Sequence, residues 1–500
     1  MLRPTRSPAS LSAGLLLIAS VALADDWTSV GFDAQRSSWV RFDAKTSPSS
    51  VRGPDFRFLW RIEVPNTARS GNTLTAPALL DFLISHRGFR SLAFVGGSSG
   101  GVYAMDTDLA RMEWERHFLP GPSASSPDCP GGMTANLTRP TAAAMPSSLG
   151  FPGRGRRSPA KSGVGQPGEG AVTLAEVARP PTRAASRPAS TRTRPPAQRA
   201  LRGVTLVYAL SADGMLHSLY VSNGRDHAPP IPFLPANANA RGLIVVDGVA
   251  YVSTSNGCSG VKDGVWALDL ESGSVTGWES DGGSVVGPSG VAFGPDGTVF
   301  ATTSNGPLVA LEARTLAPQR ATASTGFRSA PVIIDLGGED HVAAIAGDGA
   351  LRVYDAATLE ERAGTGTGSG STRSDSSLAA WRDGSGTHWI LLPGSDALTA
   401  WKLHADGQSV TLEEGWKSPR MDAPLTPIVV NGVVFAPDGG APTGRAKLYA
   451  IDGATGRGLW DSGDSISATA RGHVLSSGPG HVFLAASDSA VYAFGFPMEH

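Results

Sequence analysis

The chain has 500 residues and a formal net charge of −2, so its charge balance gives no ground for a nucleic-acid partner. Only 17% of residues are charged, while Gly numbers 62 and Pro 37, which disfavours long helices and suits many short strands joined by turns. Two cysteines, Cys129 and Cys258, cannot by themselves make a four-ligand structural zinc site.

The N-terminus reads as a secretory signal. Arg3 and Arg6 form a basic start, Leu11 to Leu23 is apolar apart from Ser and Gly, and Ala22-Leu23-Ala24 fits a small-residue cleavage site. Residues 1–24 are therefore expected to be a signal peptide, with the product periplasmic or extracellular. The alternative, an uncleaved anchor, needs an apolar run of about 20 residues, longer than this one. No other stretch is a candidate span. In an exported chain Cys129 and Cys258 can pair; the competing reading is two unrelated thiols.

Residues 25–55 precede the first repeat and form an N-terminal lead-in containing Asp26-Trp27, Gly31, Asp33 and Arg36. Phe58 to Val64 then reads as a strand carrying Trp60. From here a pattern recurs that is best preserved in Tyr449–Trp460: strand, Asp452, a Thr455-Gly456 turn, then a second strand ending in Trp460. Gly supplies the positive φ such a turn needs. Positions equivalent to Asp452 are Asp106, Tyr220, Asp269, Glu312, Asp355, Lys402 and Gly495. From Tyr220 onward they are 49, 43, 43, 47, 50 and 43 residues apart, the length of a four-stranded propeller blade. Asp106 to Tyr220 is 114 residues, one blade plus an insert.

Each unit reads as four strands. In the third these are 242–246, 249–253, 264–268 and a fourth from Val275 to Trp278, with turn dipeptides such as Asp247-Gly248 between them. The expected fold is all-β: an eight-bladed β-propeller, residues 56–500, of four-stranded antiparallel blades. The last unit ends at Gly495 without a fourth strand, and Phe58–Val64 is a fourth strand without a blade. Pairing the two closes the ring and removes exposed sheet edges.

Residues 121–203 interrupt the propeller with a Pro/Arg/Ala/Ser-rich stretch expected to be disordered. Between Arg139 and Arg202 it holds 11 Arg and one Lys against two Glu. A basic tail and an out-of-frame reading of a GC-rich gene both give such composition. Without the insert and the signal segment, the remainder carries about −14. The insert overlaps the place of the second blade's first strands, so that blade is expected to be incomplete.

The pattern Ala-x-Asp-x-x-Thr-Gly-x-x-x-Trp resembles the repeat of the PQQ-type propellers, which include quinoprotein alcohol dehydrogenases and the outer-membrane assembly lipoprotein BamB. Ala450, Asp452, Thr455, Gly456 and Trp460 match fully; Ala267, Asp269, Gly273 and Trp278 match with one insertion; Ala104, Asp106 and Trp114 match without the Thr-Gly. The segment from Asp26-Trp27 to Trp60 is similar to the lead-in of the dehydrogenases. The resemblance implies that Trp60, Trp114, Trp278, Trp416 and Trp460, with Asp106, Asp269, Asp355, Asp452 and Gly456, are blade-building residues. It makes PQQ and Ca²⁺ possible cofactors. A dehydrogenase of this kind would need carboxylate and amide oxygens around a calcium, an Asp base, and often two adjacent cysteines. Here no two cysteines adjoin, no Cys-x-x-Cys-His occurs, and the ten histidines form no paired metal motif. No catalytic, cofactor-binding or metal residue is assignable.

Three functions follow as alternatives. One is an exported binding or scaffold module, monomeric, taking a protein, peptide or small-molecule ligand at a propeller mouth. The others are a PQQ-dependent alcohol or sugar dehydrogenase or a degenerate relative, and a BamB-like assembly factor. The acidic balance outside the insert favours protein, peptide or cation ligands. The positions that break the repeat, chiefly Cys129, the Asn256–Gly260 loop and the basic insert, are where function is expected.

Overall fold

A computed structural model of the chain describes residues 26–69, 73–85, 88–118, 126–144, 205–323, 326–368, 377–407, 409–442 and 444–498. Residues 1–24, expected to be a signal peptide, and most of the basic insert lie outside the described residues. The rest is eight sheets, one per repeat. No helix among the described residues is long and apolar enough to cross a membrane.

The first blade runs Ala78–Ser85, Gly88–Gly96, Gly101–Asp106 and Arg111–His117 from channel to rim, each strand antiparallel to the last. The third blade contains Ala240–Val246, Val249–Thr254, Gly264–Asp269 and Val275–Glu279, within a residue or two of the spans expected from its turns. The fourth, fifth, sixth and seventh begin at Ala292–Phe293, Val332–Leu336, Ala379–Arg382 and Ile428–Val430. The last blade has Leu475–Gly478, His481–Ala485 and Ala490–Gly495, and its outermost strand is Arg57–Glu63 from the other end of the chain. The ring is closed by the N-terminal strand, as the missing fourth strand required.

The second blade departs from the rest. It has three named strands, Leu206–Leu210, Met215–Tyr220 and Ile231–Pro232. A bridge from Thr138 to Tyr208 takes the place of an innermost strand. The insert therefore enters between the first and second positions of this blade. This corrects the expected insert boundary. Residues 126–144 do not belong with the low-complexity stretch: Ala135 and Leu137 are buried, and Pro140–Thr141 pairs with the innermost strand of the third blade. Pro, Ser and Thr in a short channel-facing strand look compositionally like insert, which hid it.

The core lies between the blades, in clusters that join each sheet to its neighbour. The repeated Trp residues are part of these joints. Trp60, Trp114 and Trp416 stand on outermost strands and donate Nε1–H to Thr107, Val221 and Gly453 backbone oxygens at 3.1, 2.8 and 2.8 Å, each in a turn of the next blade. In the turns that receive Trp114 and Trp416 a glycine leaves room for the indole. A Cβ on Gly456 would lie 2.8 Å from the Trp416 ring, and one on Gly224 2.5 Å from the Trp114 ring. Both glycines also hold a positive φ that other residues rarely adopt. Trp460 instead packs edge-on against Phe56, with ring centroids 5.0 Å apart. Trp278 lies against the core cluster of the third and fourth blades.

The lead-in has a role its composition does not disclose. It lines the channel and touches the innermost strand of one blade after another. Trp27, Thr28, Ala34, Gln35, Ser37 and Ser38 present backbone oxygens to the N–H groups of Leu79, Arg139, Phe293, Ile333, Ala380 and Val429, all at 2.8–3.0 Å. Ser29 Oγ donates to Leu243 O at 3.2 Å in the third blade, and Asp43 Oδ2 accepts from Gly480 N at 2.7 Å in the eighth. Residues 27–43 thus meet all eight blades in chain order. The curl is tight: Phe32, Arg36 and Ser38 have φ of 75, 59 and 53°. Such backbone persists only where surrounding contacts hold it.

Candidate functional site

The residues just before each innermost strand face the channel, and here the repeats diverge. They include Thr75 in the first blade, Asn136 in the second, Ser289 in the fourth, Ser329 in the fifth, Ser377 in the sixth, Thr426 in the seventh and His473 in the eighth, all buried. On the side of the fourth to seventh blades small hydroxyls fill the space. Ser289 and Ser377 share a hydrogen bond of 2.8 Å, and Thr426 Oγ1 accepts from Ser377 N at 2.9 Å.

On the other side lies a cavity of about 300 Å³. Its wall comes from Leu74 to Ala76, from Asn136 and Thr134, from Asn239, Arg241 and Gly242, and from Arg471 to His473. Val30 of the lead-in also faces it. Pro127 and Pro130 form part of its edge. Between them Cys129 is bonded to Cys258, with Sγ atoms 2.01 Å apart. Asn239 and Asn256 also donate side-chain N–H groups to Asp128 O, at 3.2 and 2.8 Å. A strap from the second blade is thereby fastened to the third beside the opening.

The lining is polar, and part of it has no partner in the protein. Asn136 donates Nδ2 to Leu243 O at 2.9 Å, which fixes the amide orientation because a carbonyl there would face a carbonyl. Its Oδ1 is buried without a partner. His473 is 6% exposed, and neither ring nitrogen has a partner. Burial, aided by the nearby Arg36 charge, pushes its pKa down to about 3, so the ring is neutral near pH 7. A neutral imidazole offers one donor and one acceptor. Arg36 is itself buried: Nε donates to Val291 O at 2.8 Å, Nη2 to Gly242 O at 3.0 Å and Nη1 to Ser29 Oγ at 3.0 Å. Desolvation lowers its pKa to about 9, against the opposing pull of Asp33.

The charged groups in the lining are Arg241 and Arg471, and no lining residue is a carboxylate. The acidic balance of the propeller as a whole therefore did not foretell the cavity. Net charge sums the rim, whereas a channel of low dielectric responds to the few charges beside it.

The blade-signature residues lie elsewhere. Asp106, Asp269, Asp355 and Asp452 each turn a side-chain oxygen onto backbone N–H groups of their own hairpin, as Asp452 Oδ1 does to Thr455 N at 3.0 Å. At Asp269 the Ser272 N–H is the main reason the carboxylate pKa is lowered. None of these aspartates, nor Trp60, Trp114, Trp278, Trp416, Trp460 or Gly456, lines the cavity. Of the expected sites only the loop around Cys129 reaches its edge, through Pro127 and Pro130. Asn136, Arg241, Arg471 and His473 were not singled out from sequence. The available signal was positional: Asn136, Arg471 and His473 precede an innermost strand and Arg241 stands at the start of one, where the copies stop agreeing.

The PQQ–calcium pair can be tested against these residues. Calcium takes six to eight oxygen ligands, normally with carboxylates among them, and this lining offers none. No group of three or more His, Cys, Asp or Glu able to hold a metal occurs among the described residues. No tryptophan lines the cavity, and the paired cysteines are 129 positions apart rather than adjacent. The residues present do not fit that cofactor.

No protein-family model matches the chain, and no curated protein matches it in sequence. Solved structures do match in fold. A europium-containing methanol dehydrogenase aligns with a TM-score of 0.59 at 10% identity, over 94% of this chain and 98% of its own. The quinohemoprotein alcohol dehydrogenase of Comamonas testosteroni aligns at 0.54 and 14% identity, over 96% and 82%. BamB from Moraxella catarrhalis aligns at 0.46 and 13% identity, over 89% and 99%. The eight-bladed architecture implied by the repeat is thus shared with quinoprotein dehydrogenases, and at these identities the likeness concerns the fold alone.

Proposed function

We propose that this chain is an exported binding propeller that takes a small ligand in the channel cavity. One observation carries the reading: a cavity of about 300 Å³ whose wall holds buried polar atoms with no partner in the protein. Unpartnered buried polar groups cost free energy, and a ligand or water that satisfies them recovers it. Cavities of this size suit small molecules. Export is supported by the signal-like N-terminus and by the Cys129–Cys258 bond, since such bonds persist in oxidising compartments. N-terminal sequencing of protein recovered from the periplasm or medium tests it; a mature chain starting at Asp25 is expected.

The dehydrogenase reading ranks second, because it rests on fold likeness while the lining lacks calcium ligands. Thermal denaturation separates the two. A small-molecule library is expected to yield a compound that raises Tm, whereas PQQ with Ca²⁺ leaves Tm unchanged and supports no dye-linked alcohol oxidation. A Tm rise with turnover on PQQ and Ca²⁺ would replace binding by catalysis.

A further inference from the structure

We infer that the ligand is an uncharged small molecule presenting at least two hydrogen-bond donors beside an acceptor, as neighbouring hydroxyl groups or a primary amide do, and that Asn136 and His473 receive those groups. This rests on the cavity being the binding site and adds the chemistry of what enters it.

Two side chains of the wall have hydrogen-bonding capacity left over. Asn136 is 5% exposed, and its Nδ2 donates to Leu137 O and Leu243 O, both at 2.9 Å. That fixes Oδ1 as the unpartnered atom, and an amide oxygen only accepts. The buried His473 ring is neutral with both nitrogens unpartnered, so it adds one acceptor and one donor. Together the two side chains call for two donors and one acceptor. A pair of hydroxyls supplies them, because each both donates and accepts; a primary amide supplies them with its NH₂ and its oxygen. An ether, ester or hydrocarbon of the same size leaves Asn136 Oδ1 buried without a partner, which is costly.

Neither sign of charge suits these atoms. An ionised carboxylate brings acceptors only, and at Asn136 it would set oxygen against oxygen. The arginines of the wall do not offset this: Arg241 already has an interaction partner, and Arg471 is exposed and stays hydrated. An ammonium brings donors only and leaves the His473 N–H unmet. Burial, with the Arg36 charge, already keeps a proton off His473, and the same two effects oppose an ammonium beside it. No carboxylate in the lining would compensate such a cation.

Isothermal titration of the full chain at neutral pH tests this with two pairs of probes alike in shape but not in charge, glucose with glucuronate and nicotinamide with nicotinate. In at least one pair the uncharged member is expected to bind about tenfold more tightly, the worth of one buried polar group left unpaired. A preference confined to glucose identifies hydroxyl groups, one confined to nicotinamide the amide, and one in both pairs the shared chemistry. Carboxylates that bind as tightly as their uncharged partners overturn the inference while leaving the cavity as the site. Absence of binding by all four probes also overturns it; the library screen then decides separately whether the cavity binds anything. His473→Leu separates recognition from packing. Replacing an unpartnered polar ring by an apolar side chain of similar size is expected to leave the ligand-free Tm unchanged or raised, while weakening the preferred probe about tenfold. His473→Gln, which restores a donor and an acceptor, is expected to recover part of that loss. Affinity retained in His473→Leu would take the ring out of the site and overturn the inference.

Discussion

The outer joints of the ring and its inner channel are built by opposite rules. At the joints one device recurs: an indole on an outermost strand with a glycine of the next blade's turn beneath it. Trp114 over Gly224 and Trp416 over Gly456 are the same arrangement two hundred and more residues apart. In the channel no two equivalent positions need agree, and Thr75, Asn136, Ser289 and His473 occupy comparable places. Repetition marks what every blade must do to stack on the next. Divergence marks what only one side of one ring does. Stability therefore belongs to the first region and recognition to the second, and substitutions should separate them.

The largest effect is expected at a joint. Trp416 is 8% exposed, and its Nε1 donates to Gly453 O. Trp416→Ala removes the indole and leaves a hole over the Gly456 turn, at a cost of about 3–5 kcal/mol in urea unfolding. Binding at the cavity should be unchanged in whatever fraction remains folded. A loss of affinity larger than the loss of folded protein would erase the distinction between the two regions.

Next is the Cys129–Cys258 bond, the one covalent link between a channel strap and a neighbouring blade. It closes 129 positions of chain, so opening it frees much entropy in the unfolded state, about 2–4 kcal/mol. The double variant Cys129→Ser, Cys258→Ser should lower the unfolding midpoint by that amount. Because Pro127 and Pro130 border the cavity, ligand dissociation should also quicken, as followed by stopped flow. A stability loss with unaltered dissociation would place the strap among the joints.

What was legible in the sequence follows the same division. The blade count, the strand positions of the third repeat and the closing strand at Phe58–Val64 could be read because they depend on patterns that recur. Asp452, Thr455 and Gly456 look like a site in isolation and like a hairpin beside their copies. The lead-in was opaque for the opposite reason. Its bonds run from backbone oxygens of Trp27, Gln35 or Ser38 to strands hundreds of residues away, and a backbone oxygen has no letter in the sequence. Asn136 was hidden by composition, lying beside a Pro- and Arg-rich stretch. Arg36 and His473 are single letters whose burial comes from the ring as a whole.

A smaller and more selective effect concerns His473. Its folded pKa is about 3 because burial disfavours the charged ring, whereas in the unfolded chain it is near the ordinary 6.5. Between these values the unfolded state binds the additional proton, so stability falls as pH drops below about 6.5, by on the order of 1 kcal/mol per pH unit. Its folded-state neighbour, Arg36, stays charged throughout this range and keeps the ring neutral. His481 and His388 are shifted in the same sense by burial, so the informative quantity is a difference. His473→Gln should flatten the slope of unfolding free energy between pH 6 and pH 4 relative to the parent chain. Equal slopes would mean the ring is protonated in place.

The smallest effect sits at the hairpin that best preserves the repeat. Asp452 Oδ1 accepts from Ala454 N at 3.2 Å, Thr455 N at 3.0 Å and Thr455 Oγ1 at 2.9 Å, all near solvent. Asp452→Ala surrenders those bonds to water, at a cost of about 1 kcal/mol. Asp452→Asn keeps an acceptor oxygen and should cost less. Asp355 holds the equivalent turn through Ala357 N and Thr358 N, so Asp355→Ala should cost a similar amount, and the two should add because the blades are far apart in the ring. The Asp355 carboxylate also pairs with Arg362 at 3.0 Å, a half-buried contact that adds a small amount to that cost. If either change weakened ligand binding in titration, the repeated turns would have a part in recognition, and the opposition between joint and channel would have to be redrawn.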